Sequence, residues 1–219
     1  MKYHNTELLF SYLEKYPIQQ YFSSNIIPFL SLVEFNDGDF IYKEGSSPSH
    51  FFYMIKGNAK LYLTHKNGKV SLINFLEAPC FIGEMELIRA QEYTNGIQAL
   101  SNCICFCFDT LKCNEQLLND TVFLRYLCLF LSKKAIQNTT NYTQNQAYPL
   151  KSRLASFILL TNNNRLYVEK HSEVCEYLGV SYRHLLYVIA DFCKSGIIEK
   201  TISGYKIIDI ELLNKIVKD

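Results

Sequence analysis

The stretch from His171 to Lys200, HSEVCEYLGVSYRHLLYVIADFCKSGIIEK, constrains this chain more than any other. Leu185, Val188, Ile189 and Phe192 fall at i, i+3, i+4 and i+7, which predicts one buried face of a helix. Ser181 stands just before that run, where a side-chain oxygen satisfies a free N–H of the first turn. Gly196 stands just after it, where a left-handed C-cap suits glycine. Val174 and Leu178, four residues apart, predict a preceding helix facing the same core, and Gly179 turns the chain between the two. Helix, tight turn, helix is the layout that lays its second helix in the major groove of duplex DNA. The outer face of that helix carries Tyr182, Arg183, Tyr187 and Asp191, with His184 at its margin.

Arg183 lies in the first turn, and a guanidinium there can donate two parallel hydrogen bonds to guanine O6 and N7. Tyr187, one turn on, can reach a base edge or a phosphate, and Ser181 is placed to hold a phosphate at the helix N-terminus. Taken alone, Arg183 is an ordinary solvated arginine; the helix-turn-helix context favours the DNA role. Ile197–Lys200, a turn at Ser203-Gly204 and Tyr205–Ile208 predict the hairpin of a winged helix. Asp209 is placed to cap a last helix with Leu212, Leu213 and Ile216. From Pro149 to Asp219 there are ten Lys/Arg against eight Asp/Glu. The segment is only mildly basic, so affinity would lean on local charge placement and dimerisation rather than on a general field.

The 219 residues leave room for one large or two modest domains, and a 48% hydrophobic fraction suits a chain that buries a core. The net charge of +1 gives no global polyanion signal. No secretory signal is visible, and the longest apolar run, around Val122–Leu131, is too short for a bilayer and contains Arg125. A cytoplasmic location without membrane attachment is expected, with the eight cysteines mostly reduced.

From about Leu32 to Asp109 short β-rich runs alternate with turn residues, including Asp37-Gly38 and Gly45-Ser46. Ala59–His65 and Lys69–Phe75 flank Asn67-Gly68, the dipeptide suited to a type I′ hairpin turn. This spacing predicts a β-barrel or jelly roll. Helical spacing begins at Asn119, with Asp120 as N-cap and Phe123, Leu127, Phe130, Leu131 and Lys134 on one stripe. Leu124, Cys128 and Ala135 form a second stripe. A helix apolar on two sides buries against its own barrel and a second surface, read as the same helix of a partner copy; complete burial in its own domain is the alternative. The polar run Thr139–Tyr148 reads as a hinge, and Pro149 suits the first turn of a new helix that ends at the loop Asn162-Asn163-Asn164. The fold expected is therefore α+β: a sensor barrel over 1–118, a dimerisation helix and hinge over 119–148, and a winged helix-turn-helix over 149–219.

That order of parts resembles the Crp/Fnr family of bacterial transcription regulators, whose barrel is of the cyclic-nucleotide-binding type. Phe35, Gly38-Asp39, Ile41 and Glu44-Gly45, then Tyr53, Ile55 and Gly57, look like the family's first barrel motifs. Phe81-Ile82-Gly83-Glu84 looks like the start of its ligand cassette; Arg153-Leu154-Ala155 and Leu178-Gly179-Val180-Ser181 look like its DNA-binding half. Within the family, Ala78–Glu84, Leu117–Thr121 and Gly179–Val188 look like the YeiL subgroup. The resemblance implies a homodimeric regulator that binds double-stranded DNA at a near-palindromic site, with RNA polymerase as a further partner. It names no cofactor or effector. It implies a candidate effector pocket at Gly83, Glu84, Tyr93 and Thr94.

The departures bear on the effector. Cyclic-nucleotide-binding members use a glutamate for the ribose and an arginine for the phosphate. Glu84 is present, but the arginine's place falls in Tyr93-Thr94-Asn95-Gly96, Arg89 is out of register, and Glu86 adds negative charge. A phosphodiester lacks its cation there, so control by cyclic AMP is not expected. Gly83-Glu84 can also be a structural turn in a barrel that binds nothing. On the recognition helix, many members carry Arg-Glu after the serine and an arginine one turn later; Ser181-Tyr182-Arg183 and then Tyr187 predict a different operator.

Oxygen-sensing members hold an iron–sulfur cluster near the N-terminus, but Met1–Pro79 contains no cysteine. Cys103, Cys105 and Cys107 share one strand face, opposite Ile104, Phe106 and Phe108, with Cys80 and Cys113 as further thiols. A redox or metal role stands beside plain packing. Same-face strand residues lie about 6.5–7 Å apart, too far for easy shared ligation of one zinc. The chain shows no nucleophile–base set, phosphate loop or H-E-x-x-H, and His50, His65, His171 and His184 are scattered, with His4 in a terminus expected to be flexible. An enzyme is not expected. The alternative function is a ligand- or redox-sensing module whose winged helix binds a protein.

Overall fold

The computed structural model describes residues 1–68, 70–162 and 164–218, without the side chains at 141, 144–146 and 218. Lys69 of the expected return strand, Asn163 of the expected loop and the terminal Asp219 lie outside the described residues. The chain divides into two compact units, Met1–Lys134 and Ala135–Asp219.

The first unit opens with β1 (Lys2–Tyr3) and α1 (Thr6–Lys15). The strands β2 (Leu30–Phe35), β3 (Phe40–Tyr42), β4 (His50–Lys56), β5 (Asn58–Thr64), β6 (Val70–Glu77) and β7 (Cys80–Ile82) follow. Then come the one-turn helix α2 (Glu84–Leu87), β8 (Gly96–Ala99), β9 (Cys103–Asp109), α3 (Thr110–Asn119) and α4 (Thr121–Ala147), which continues in the chain past Lys134 into the second unit. The strands form two antiparallel sheets, ordered β1-β2-β9-β4-β7 and β3-β8-β5-β6, the β-sheet domain the sequence predicts.

Period-two alternation explains how the first sheet is buried on both faces. Val33, Phe35, Phe52, Met54, Cys105 and Cys107 face a core shared with Ile41, Leu76 and Ile97 of the other sheet. Leu30, Leu32, Phe51, Tyr53, Phe106 and Phe108 face α1, α3 and α4 through Leu9, Leu117, Phe123 and Leu127.

Four expectations need correction. The N-terminus is not loose: β1 pairs with β2, and His4 Nε2 lies 3.1 Å from Glu34 Oε2. Asn5 caps α1 by accepting from Leu8 N–H at 3.0 Å. The Asn67-Gly68 turn is not type I′, which requires positive φ at both central residues. Gly68 alone takes φ +79, closing a turn in which its N–H donates to His65 O at 2.8 Å. The hinge expected over 139–148 is helical as far as Ala147. Asn, Thr and Gln are modest helix formers but not breakers, and Thr139, Thr140 and Thr143 satisfy their hydroxyls on carbonyls one turn back. Finally, α3 is a helix within the span read as barrel.

Asp120 joins α3 to α4 as predicted. Its Oδ1 accepts from Val122 and Phe123 N–H, both at 3.0 Å, while Oδ2 accepts from Ser23 N–H at 2.7 Å and Ser24 N–H at 3.2 Å. Burial alone would raise this carboxyl; the hydrogen bonds from Phe123 and Ser23 outweigh it and hold the pKa below the usual carboxylate range. A depressed folded pKa adds stability above the unfolded value, about 3.9, and loses it as pH falls through the folded value. Asp120→Asn should therefore be less stable than the parent at pH 7, with the gap narrowing below about pH 4 in denaturant titrations. A gap constant from pH 7 to 3 would contradict this role.

The second unit contains α5 (Leu150–Thr161), β10 (Leu166–Tyr167), α6 (His171–Leu178), α7 (Tyr182–Lys194), β11 (Ile198–Lys200), β12 (Tyr205–Ile207) and α8 (Ile210–Lys218). Pro149 takes the N-cap position of α5, one residue ahead of the first turn. The expected hairpin β11–β12 gains β10 as a third strand, in the order β10-β12-β11. Asp209 caps α8, accepting from Leu212 N–H at 2.8 Å. Among the described residues no helix is long and apolar enough to cross a membrane.

Candidate functional site

The turn between α6 and α7 is built from backbone rules. Gly179 sits at φ +63, and the N–H of Val180 donates to Cys175 O at 2.9 Å, closing the end of α6. Ser181 then caps α7, its Oγ accepting from His184 N–H at 3.3 Å. Arg153 adds a fastening the sequence reading missed. Its Nη1 donates to Leu178 O at 2.5 Å and its Nε to Tyr148 O at 3.0 Å. A cation at a helix C-terminus meets the negative end of the dipole; the long separation from Leu178 hid this in the sequence.

On α7, Leu185, Val188, Ile189 and Phe192 are buried. Ser181, Tyr182, Arg183, His184 and Tyr187 are all exposed, and Tyr187 is 74% exposed. Arg183 has no hydrogen bond or ion pair to another described residue, whereas Asp191 is held by Lys151 at 2.7 Å. Tyr182 flanks a hollow of about 450 Å³ beside the β11–β12 turn, lined also by His171, Gly204 and Tyr205. Gly204 is required there, because a Cβ would overlap the carbonyl of Tyr167. Burial, then the Lys200 charge, lowers the His171 pKa, which favours its neutral form.

Of the four residues expected to line an effector pocket, Gly83 borders a cavity of about 220 Å³ together with Glu86 and Arg89. Gly83 takes φ +93, and the Tyr42 hydroxyl stands where its Cβ would be, donating to His50 O at 2.5 Å. Glu84 is 3% exposed, and its Oε1 accepts from Lys134 Nζ of α4 at 2.5 Å. Thr94 is buried in a loop clasp, donating to Lys43 O at 2.7 Å. Tyr93 is 58% exposed. The Tyr62 ring packs directly over Gly96.

The thiols lie in apolar packing. Cys80, Cys103, Cys105 and Cys107 belong to the core between the sheets, while Cys113 belongs to the helix-facing core. Burial pushes Cys80 and Cys107 up to about 12 and Cys113 up to about 11, and raises Cys103 and Cys105 as well. Such thiols are protonated at neutral pH and poor nucleophiles. Among the described residues no group of three or more His, Cys, Asp or Glu could hold a metal ion.

Comparison with known proteins agrees with this architecture. Residues 32–120 match the cyclic nucleotide-binding domain family. Over 176 residues the chain is 50% identical to the regulatory protein YeiL of Escherichia coli O157:H7, covering 80% of each chain. A CRP-family transcriptional regulator from Thermus thermophilus superposes with a TM-score of 0.70 at 14% identity, covering 85% of this chain and 97% of that one. A second regulator of the same organism, of the CRP/FNR family, gives 0.67 at 17%, covering 86% and 98%. At those identities the structural likeness is one of fold; the sequence match carries the kinship. The chain belongs to the Crp/Fnr family of transcription regulators, on the YeiL side of it. Its relatives are regulatory proteins rather than enzymes.

Proposed function

We propose that this regulator acts as a homodimer, reads a near-palindromic duplex through α7, works with RNA polymerase, and does not answer to cyclic AMP. The observation that carries the reading is the outer face of α7. It presents an exposed Tyr187 and an Arg183 without a partner among the described residues, on a helix whose other face is locked into the core.

The dimer reading draws support from α4. Val122, Leu129 and Ile136 recur at seven-residue intervals and are 44%, 55% and 67% exposed. A heptad of exposed apolar side chains on a helix already buried along Phe123 and Leu127 suits a coiled-coil partner. That stripe differs from the one read in sequence, since Leu124 packs on the unit's own core. Independence from cyclic AMP draws support from Tyr42 over Gly83, Lys134 on Glu84, and Tyr93-Thr94-Asn95 where an arginine would be needed. A phosphodiester entering there would have to displace the ion pair of Lys134 with Glu84.

Selection from random duplexes with the full chain tests the proposal. It should return a two-fold symmetric site with half-site centres about 34–36 Å apart. Arg183→Ala should weaken binding by about 1–3 kcal/mol and relax one base step in each half-site. Equal affinity for all duplexes, before and after that change, would sink the DNA reading and favour a protein partner.

A further inference from the structure

A cavity of about 220 Å³ lies between α2, α3 and the start of β4. It is smaller than the usual 300–1,000 Å³ of a drug-sized site. It holds roughly seven heavy atoms at the ~30 Å³ each takes in liquid water, and somewhat more at close packing. We propose that this cavity binds a free α-amino acid, with its carboxylate on Arg89 and its ammonium on Glu86.

The charges are set for that occupant. Glu86 and Arg89 both line the cavity, three residues apart in sequence, yet no ion pair joins them among the described residues. In a continuing helix that spacing would bring them together. Here α2 stops at Leu87 and Arg89 takes φ +58, a left-handed conformation usual for glycine at a helix end. An arginine at a glycine position sacrifices stability for a cation at that spot, a pattern typical of binding sites. Glu86 Oε1 is steadied by Gln91 Nε2 at 2.7 Å, and burial raises its carboxyl pKa, a penalty that a ligand ammonium would relieve.

The rest of the lining suits the same ligand. Thr110 and Asn114 also line the cavity, and their side chains make no hydrogen bond to another described residue. Leu87 and Leu111 supply an apolar wall for a short side chain. Because α2 also carries Glu84, held by Lys134 of α4, an occupant would act on the helix read above as the dimer seam. That regulatory consequence rests on the proposed function; binding itself does not.

Isothermal titration of the full chain with each of the twenty proteinogenic amino acids decides the matter. At least one should bind saturably, and its N-acetyl and amide forms at least tenfold more weakly. Arg89→Gly suits the left-handed backbone, so it should melt no lower than the parent and bind at least tenfold more weakly; Glu86→Gln should also weaken binding. Arg183→Ala should bind the amino acid like the parent, which separates this site from DNA reading. No saturable binding at millimolar concentrations, an N-acetyl form that binds equally, or undiminished binding by Arg89→Gly would each overturn the proposal.

Discussion

Lys134→Met is expected to destabilise the first unit by about 3 kcal/mol, the lower end of what removing one partner of a buried ion pair costs. Glu84 is the reason. Its side chain is 4% exposed, that of Lys134 is 26% exposed, and their closest atoms are 2.5 Å apart. Methionine keeps the aliphatic stem of lysine but leaves a carboxylate buried without its cation. The lysine is partly solvated, so the loss should not reach the upper end of the range. Glu84→Gln in the same chain removes the orphaned charge, and the double variant should recover most of the deficit. Urea titrations of the parent, both single variants and the double variant give the coupling directly. Strict additivity of the two changes would show that the pair contributes nothing.

Much of the fold follows from local rules that sequence carries openly. Gly179 and Gly196 adopt the left-handed conformations their positions require, and Ser181, Asp120 and Asp209 cap the helices they precede. The alternation of Cys103, Cys105 and Cys107 with Ile104, Phe106 and Phe108 sorts into two separate cores. The N-terminal helix was legible too, in Asn5 ahead of an apolar run, but a terminus without a strong pattern invites being passed over. Hidden features depend on contacts between distant residues. Lys134 meets Glu84 across fifty positions and Arg153 meets Leu178 across twenty-five. Tyr42 fills the space above Gly83. No periodicity encodes such meetings. The same holds for the effector residues: sequence order put Glu84 and Thr94 in one cassette, whereas folding gives each a partner inside the protein. The polar run 139–147 misled for a different reason, because weak helix formers extend a helix that a stronger segment has nucleated.

Phe123→Ala should destabilise the first unit by about 3–5 kcal/mol. The ring is fully buried in the first turn of α4. It stacks on Phe22 at 4.9 Å between centroids and meets Phe51 and Phe81 edge-on at 6.0 and 5.9 Å. It therefore ties the segment after α1, strands β4 and β7, and α4 into one cluster. Truncation removes the transfer energy of a phenyl group, leaves a cavity that three aromatic rings cannot easily close, and deletes edge and stacking contacts worth about 0.5–1.5 kcal/mol per pair. The expected fall in melting temperature is about 10 °C or more. Arg125→Ala, two residues along at an exposed position, should stay within about 0.5 kcal/mol. Chemical denaturation followed by far-ultraviolet circular dichroism separates the two. A Phe123→Ala loss below about 1 kcal/mol would mean the cluster collapses onto the vacancy, and the aromatic tie between sheet and helix would lose its claim to hold this unit together.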